Sequence, residues 1–150
     1  MQEKRPFSKW EVLIAAPLIK ELEGLELAAY KCPAGVWTIG YGHTGKDVEP
    51  GTKISAHQAD QLLTVDMEKI KNRLVSAVKV QVTSGQFKAL ISLAYNVGAA
   101  SVARSKLLSK LNDGHPELAV KEFDDWILCN GKPYKGLIRR RKIEADVFKN

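Results

Sequence analysis

The chain has 150 residues, 45% apolar and 27% charged, with a net charge of +6, a balance that excludes disorder and fits one compact domain burying roughly two thirds of the surface its unfolded form exposes. The longest early apolar stretch, Val12 to Ile19, contains Pro17 and lies between Glu11 and Lys20, too short to span a bilayer, and the N-terminus lacks the basic start, long apolar run and cleavage site of an export signal. The two cysteines, Cys32 and Cys129, follow no metal-ligand spacing, so we expect no metal and no cofactor, and two reduced thiols rather than a disulfide.

The charge is uneven. Residues 1–54 carry seven Lys or Arg and seven Asp or Glu, whereas residues 55–150 carry 16 and 10 and so hold all six excess positives. The second part therefore faces an anionic partner.

In chain order, Ser8 and Glu11 have capping-box spacing, and Trp10, Leu13 and Ile14 give a short helical face. Pro17 restarts a helix on which Leu18, Ile19, Leu22 and Leu25 pack inward, and Gly24 ends it just after Glu23. From Tyr30 to Ile54 glycine recurs among Val36, Trp37, Thr38, Ile39 and Tyr41, the pattern of a small antiparallel sheet. Ser55 and Gln58 form a second capping box, opening a helix predicted to run to about residue 79. Four further helices follow: one from Thr83 through Phe87, Leu90, Ile91, Ala94 and Tyr95, then Val102–Leu111, Pro116–Trp126 and Gly136–Phe148. No repeat and no linker appears.

The fold class expected is α+β and mainly helical, a single domain with a β-containing lobe at about 24–54, a connecting helix at about 55–79, and a helical lobe at about 80–150 packed with the N-terminal helix. Around the glycine-rich turn lie one acid, one thiol and one hydroxyl: Glu23, Cys32 and Thr38. Cleaving a glycosidic bond takes a proton for the leaving oxygen and a second group that supports attack at the sugar carbon, normally a paired Asp or Glu. Here the second group would be sulfur. Glu23, beside Leu22 and Tyr30, is placed where partial burial would favour a protonated carboxyl.

Four segments in order resemble the phage-type lysozymes, the endolysins of glycoside hydrolase family 24. Glu23-Gly24-Leu25 resembles the catalytic-acid motif, Gly35-Val36-Trp37-Thr38-Ile39-Gly40-Tyr41-Gly42-His43-Thr44 the hairpin after it, Phe87 to Gly98 the central buried helix, and Gly136-Leu137-Ile138-Arg139-Arg140-Arg141 the C-terminal Gly-Leu-x-x-Arg-Arg segment. The resemblance implies a lysozyme-like fold, Glu23 as general acid, and Thr38 as the hydroxyl that helps hold the attacking water. Cys32 occupies a position where most members carry Asp and some carry Cys. It also implies that His43 braces the hairpin, that Asn96 is a buried amide bonding an N-acetyl group of the saccharide, that Tyr41 and Arg140 line the substrate site, and that Arg140 or Arg141 approaches Glu23.

A free thiol has a pKa of about 8.5, so Cys32 needs a neighbour to ionise it. Lys31 is adjacent in sequence. An ionised Cys32 could activate water, inverting the sugar, or attack it, retaining configuration. The activity implied is that of a muramidase cutting the β-1,4 bond between N-acetylmuramic acid and N-acetylglucosamine in peptidoglycan glycan strands. Alternatives are a lytic transglycosylase and a non-catalytic peptidoglycan- or membrane-binding protein. We further expect a monomer with no nucleic-acid role, held in the host cytoplasm until release unless an export segment lies outside this sequence, with the basic part free to meet anionic envelope surfaces.

Overall fold

The computed structural model describes residues 2–150. The chain enters as an extended segment whose Arg5 exchanges backbone hydrogen bonds with Val82, at 2.9 and 2.8 Å. The indole N–H of buried Trp10 donates to Val82 O at 2.9 Å. Pinned this way, residues Phe7–Lys9 and Val12–Ala15 form two 3-10 turns with no side-chain cap, in place of the helix predicted from Ser8 and Glu11. Leu13, expected inward, is exposed.

Helix α1 spans Ala16–Glu23 with Pro17 in its first turn, where a missing N–H costs nothing. Ile19 is fully buried, but Leu25 lies beyond the helix and is exposed. Gly24 closes α1 at φ +72°, its N–H donating to Lys20 O at 3.0 Å. Strands β1 (Glu26–Lys31), β2 (Trp37–Gly40) and β3 (His43–Thr44) form an antiparallel sheet in sequence order. Cys32-Pro33-Ala34-Gly35 makes the turn between the first two. Its Gly35 N–H donates to Cys32 O at 2.8 Å, and the Cys32 N–H donates to Val36 O at 2.9 Å, with Pro supplying the fixed φ of the second turn position.

Helix α2 (Ala56–Leu74) carries the predicted capping box, Ser55 with Gln58. It ends at Leu74, short of residue 79, because Asn112 supplies a different set of bonds. The Asn112 amide donates to Ala77 O and accepts from the Lys79 N–H, both at 2.8 Å, stabilising a turned backbone where helix would otherwise continue.

Helix α3 (Ser84–Val97), capped by Thr83 and Gln86, is the buried axis of the molecule: Phe87, Ala89, Leu90, Ile91 and Leu93 are fully enclosed. The predicted helix Val102–Leu111 is two, α4 (Ala99–Ala103) and α5 (Lys106–Asn112). Ser105 separates them, its hydroxyl donating to Val102 O at 2.7 Å and accepting from the Leu108 N–H at 3.2 Å. Similarly, Pro116–Trp126 contains α6 (Pro116–Ala119) and a 3-10 stretch, Val120–Asp125. A two-residue hairpin, β4 (Leu128–Cys129) with β5 (Lys132–Pro133), precedes α7 (Lys135–Lys149).

Helix α7 packs along α3 so closely that a Cβ at Gly85 would stand 2.0 Å from Asn150 O and 2.2 Å from Val147 O. Phe148 then stacks edge-on against Phe123 at 5.5 Å. This docking brings the middle of α7 to the end of α1.

Candidate active site

Glu23 is the last residue of α1, so its side chain leaves the helix where the chain turns into the sheet. Its Oε2 accepts from Arg140 Nη1 at 2.6 Å. The apolar surroundings predicted for Glu23 are therefore replaced by a guanidinium. Arg140 is itself buried, donating Nη2 to Ser92 O at 3.1 Å and Nε to Glu144 Oε2 at 3.2 Å. Ser92 Oγ donates to the same Glu144 oxygen at 2.5 Å.

On the other side of Glu144, Arg141 Nε lies 2.8 Å from Oε1, a charge contact whose N–H is not aligned for a hydrogen bond. Arg141 Nη2 instead donates to Asn96 Oδ1 at 2.6 Å. Burial pushes the Glu144 carboxyl up, with both guanidiniums and Ser92 pulling against it, and burial lowers Arg141. Two cations and two carboxylates thus balance inside the protein, which is how such groups are tolerated away from water.

Glu23 Oε1 faces the hairpin. Gly42, at φ +82°, has no side chain, and a Cβ there would lie 2.8 Å from Oε1 and 3.6 Å from Tyr95 Cε1. Tyr95 Oη donates to Tyr41 O at 2.5 Å, tying the end of α3 to the sheet, and burial raises its phenol. The Tyr41 ring packs partly buried against the core, with Lys20 Nζ 5.3 Å from its centroid.

Cys32 follows β1. Tyr30 pairs with Thr38 and Lys31 with Trp37, so strand alternation puts Tyr30, Cys32 and Thr38 on one face and Lys31 on the other. Lys31 Nζ accordingly lies over the Trp37 ring, 5.7 Å from its centroid. The thiol is held below its ordinary value by other means: first the Val36 backbone N–H, opposed by burial, then the Ala34 backbone and the Thr38 hydroxyl. Thr38 is buried and its hydroxyl donates to Val36 O at 3.0 Å. A thiolate at Cys32 competes for that same hydrogen. Tyr30 lies within electrostatic reach of both groups, since burial raises its phenol first and the charges of Glu23, Glu26 and Cys32 raise it further. Both cysteines are free, Cys32 half-buried and Cys129 exposed.

His43 sits between two acids, Nδ1 2.6 Å from Asp66 Oδ2 and Nε2 3.0 Å from Asp47 Oδ2. Burial lowers its pKa, but the hydrogen bonds and charges of Asp66 and then Asp47 outweigh this and raise it. Asn96, predicted to be buried, is exposed, its Oδ1 committed to Arg141 and its NH₂ free toward solvent. Sequence reasoning missed Ser92 and Glu144. The available signal was a serine on an otherwise apolar face and a glutamate four positions after Arg140, hidden because the run at Arg139 reads as a solvated charge cluster.

Gly42 and Tyr95, the neighbours of Glu23, line an open cavity of about 330 Å³ between the hairpin, α2 and α3, whose lining includes none of Glu23, Cys32 and Thr38. The family model described as phage lysozyme matches residues 20–144. The endolysin of Bacillus phage PZA is 46% identical over 133 residues, covering 87% of this chain and 52% of that protein. The endolysin of Acyrthosiphon pisum secondary endosymbiont phage 1 is 42% identical over 137 residues, covering 89% and 93%. This chain thus spans about half the length of the first relative. Among solved structures, the endolysin from Escherichia coli O157:H7 phage FAHEc1 superposes with a TM-score of 0.82 at 35% identity, covering 99% of this chain and 96% of that one.

Proposed function

Because the chain belongs to the phage lysozyme family, we propose that it is a muramidase, hydrolysing the β-1,4 bond between N-acetylmuramic acid and N-acetylglucosamine in peptidoglycan. The observation that carries this reading is the Glu23 carboxyl held by Arg140 at one oxygen and turned toward Gly42, a residue of the cavity lining, with the other. Arg140 occupies Oε2, so Oε1 is the oxygen that carries the proton to the leaving sugar. Residues 1–150 act as one monomeric lysozyme domain.

In this reading Cys32 is the second group and the chain falls in the subgroup with Cys in place of Asp. Its pKa is lowered by the Val36 backbone, then by the Ala34 backbone and the Thr38 hydroxyl, which favours the thiolate without a neighbouring ammonium. Thr38 hydrogen-bonds the thiolate or the attacking water. Asn96, through its free NH₂, and Tyr41 contact the sugars, while Arg140 acts through Glu23. The exposed cations of α7, Lys135, Arg139, Lys142 and Lys149, supply attraction to anionic envelope material. Among the described residues no helix is long and apolar enough to cross a membrane. The protein waits in the host cytoplasm until a separate pore-forming partner admits it to the periplasmic peptidoglycan.

Digestion of purified peptidoglycan tests this. Wild type should release new reducing ends, and Glu23→Gln should abolish them. Anhydro-muramic products would instead establish a lytic transglycosylase, and lysis undiminished by Glu23→Gln would establish a non-catalytic membrane- or wall-binding action.

A further inference from the structure

The cavity lined by Gly42 and Tyr95 has an apolar floor, to which Ile70, Ala94 and Ala99 contribute, and one strongly charged wall on α2. Of the three charged side chains on that wall, Asp66 is committed to His43. The other two, Lys69 and Arg73, stand one helical turn apart on the same face. Both are exposed, and among the described residues neither has a carboxylate within 4.0 Å. The last-turn position of Arg73 suits a cation near helix carbonyls, and Lys69 lies within electrostatic reach of Asp47, whose carboxyl it helps hold low, but neither cation forms a close ion pair. Two like charges at this spacing repel, so the arrangement gains when an anion enters between them.

The substrate proposed above supplies one. Its sugars are uncharged apart from the lactyl ether of muramic acid, which ends either in a free carboxylate or in an amide to a stem peptide bearing carboxylates of its own. Thr44 and Gly98 also line the cavity, and a Cβ at Gly98 would meet nothing within 4 Å, which leaves room for a branch off the glycan. We propose that Lys69 and Arg73 form a subsite for the carboxylates carried by the muramic acid substituent, and so make the enzyme read the decoration of the strand as well as its backbone. The proposal rests on the muramidase reading. Lys69 and Arg73 are specificity residues, remote from the bond that breaks.

The test compares wild type, Lys69→Gln/Arg73→Gln and the charge-retaining Lys69→Arg/Arg73→Lys on three substrates: intact sacculi, amidase-stripped glycan carrying only the lactyl carboxylate, and sacculi whose carboxylates are converted to N-methylamides. On intact sacculi the neutral variant should show KM raised about tenfold with kcat little changed, and a flatter salt dependence. The charge-retaining variant should behave as wild type. On methylamidated sacculi all three proteins should share one KM. Persistence of the difference on stripped glycan assigns the subsite to the lactyl carboxylate, and its disappearance there assigns it to the peptide. An unchanged KM on intact sacculi, or an equal rise on methylamidated ones, overturns the proposal.

Calorimetric binding of a soluble disaccharide-tripeptide to Glu23→Gln protein reads the same subsite without turnover. Kd should weaken about tenfold when the two cations are also neutralised, and unchanged Kd counts against the subsite. Failure of wild type to release reducing ends from any substrate, with this binding difference intact, would refute the muramidase reading alone.

Discussion

Arg140 and Glu23 are 117 positions apart in the chain and meet at 2.6 Å. The guanidinium that holds the acid is held in turn by Glu144 and Ser92, neither of which approaches the cavity wall. Acid orientation therefore depends on the docking of α7 against α3. Replacing Arg140 by Gln should cut kcat by about 10²-fold through misplacement of Glu23, with KM changed far less. Steady-state kinetics on peptidoglycan would show it, and an unchanged kcat would deny Arg140 the positioning role.

Glu144 has no exposed surface and answers two arginines. Glu144→Gln leaves Arg141 without a counter-charge and Arg140 with Glu23 alone, and breaking a buried pair this way costs about 3–5 kcal/mol. Denaturant unfolding should show that loss, whereas Ser92→Ala should cost only about 1–2 kcal/mol. A Glu144→Gln protein as stable as wild type would mean that the arginines find other partners.

Cys32 should alkylate with a pH midpoint below that of an unperturbed thiol, because the Val36 N–H and the Thr38 hydroxyl favour its thiolate. Thr38→Val removes the hydroxyl and should move the midpoint up. Iodoacetamide kinetics across pH, with Cys129→Ser to silence the exposed thiol, measure both. In lysis assays Cys32→Asp should retain activity while Cys32→Ala and the alkylated protein lose it. Full activity of Cys32→Ala would remove sulfur from the mechanism.

His43 gives stability a definite pH dependence. Its folded pKa lies above the ordinary 6.5, so its charged contacts with Asp66 and Asp47 contribute fully below about pH 6.5 and fade as pH rises through the folded value. The melting temperature should decline over that interval, by roughly 2–4 °C per kcal/mol lost for a domain of this size. His43→Gln should flatten the decline. Equal pH slopes in the two proteins would count against it.

The hairpin and the position of Glu23 were legible because local chemistry decides them: Gly24 after an apolar helix, Pro33 and Gly35 in the turn, and Ser55 with Gln58 opening α2. The supports of Glu23 were not, because Ser92, Arg140 and Glu144 come from separate segments and acquire meaning only when α7 lies on α3. The orientation of Lys31 was readable from strand alternation once its pairing with Trp37 was known. Likewise Asn130-Gly131, both at positive φ, is a hairpin turn signal passed over between two longer helices.

Gly42→Ala tests the approach between hairpin and acid. The new methyl would meet Glu23 Oε1 at 2.8 Å in a backbone conformation already strained for alanine. Activity should fall at least tenfold, and a crystal structure of the variant should show the carboxylate displaced. Retained activity with an unmoved carboxylate would contradict the contact.

The order of the chain also sets an order of events during synthesis. Glu23, Cys32 and Thr38 emerge from the ribosome early and can form their hairpin locally, but Arg140 and Glu144 arrive with α7. A nascent chain that has not yet delivered that helix has its acid without its guanidinium, and α3 without the surface that buries it. Assembly thus waits on a contact of high sequence separation, the slow kind. The Glu23 site is completed late, as a property of the whole translated domain rather than of the segment that carries its acid and thiol.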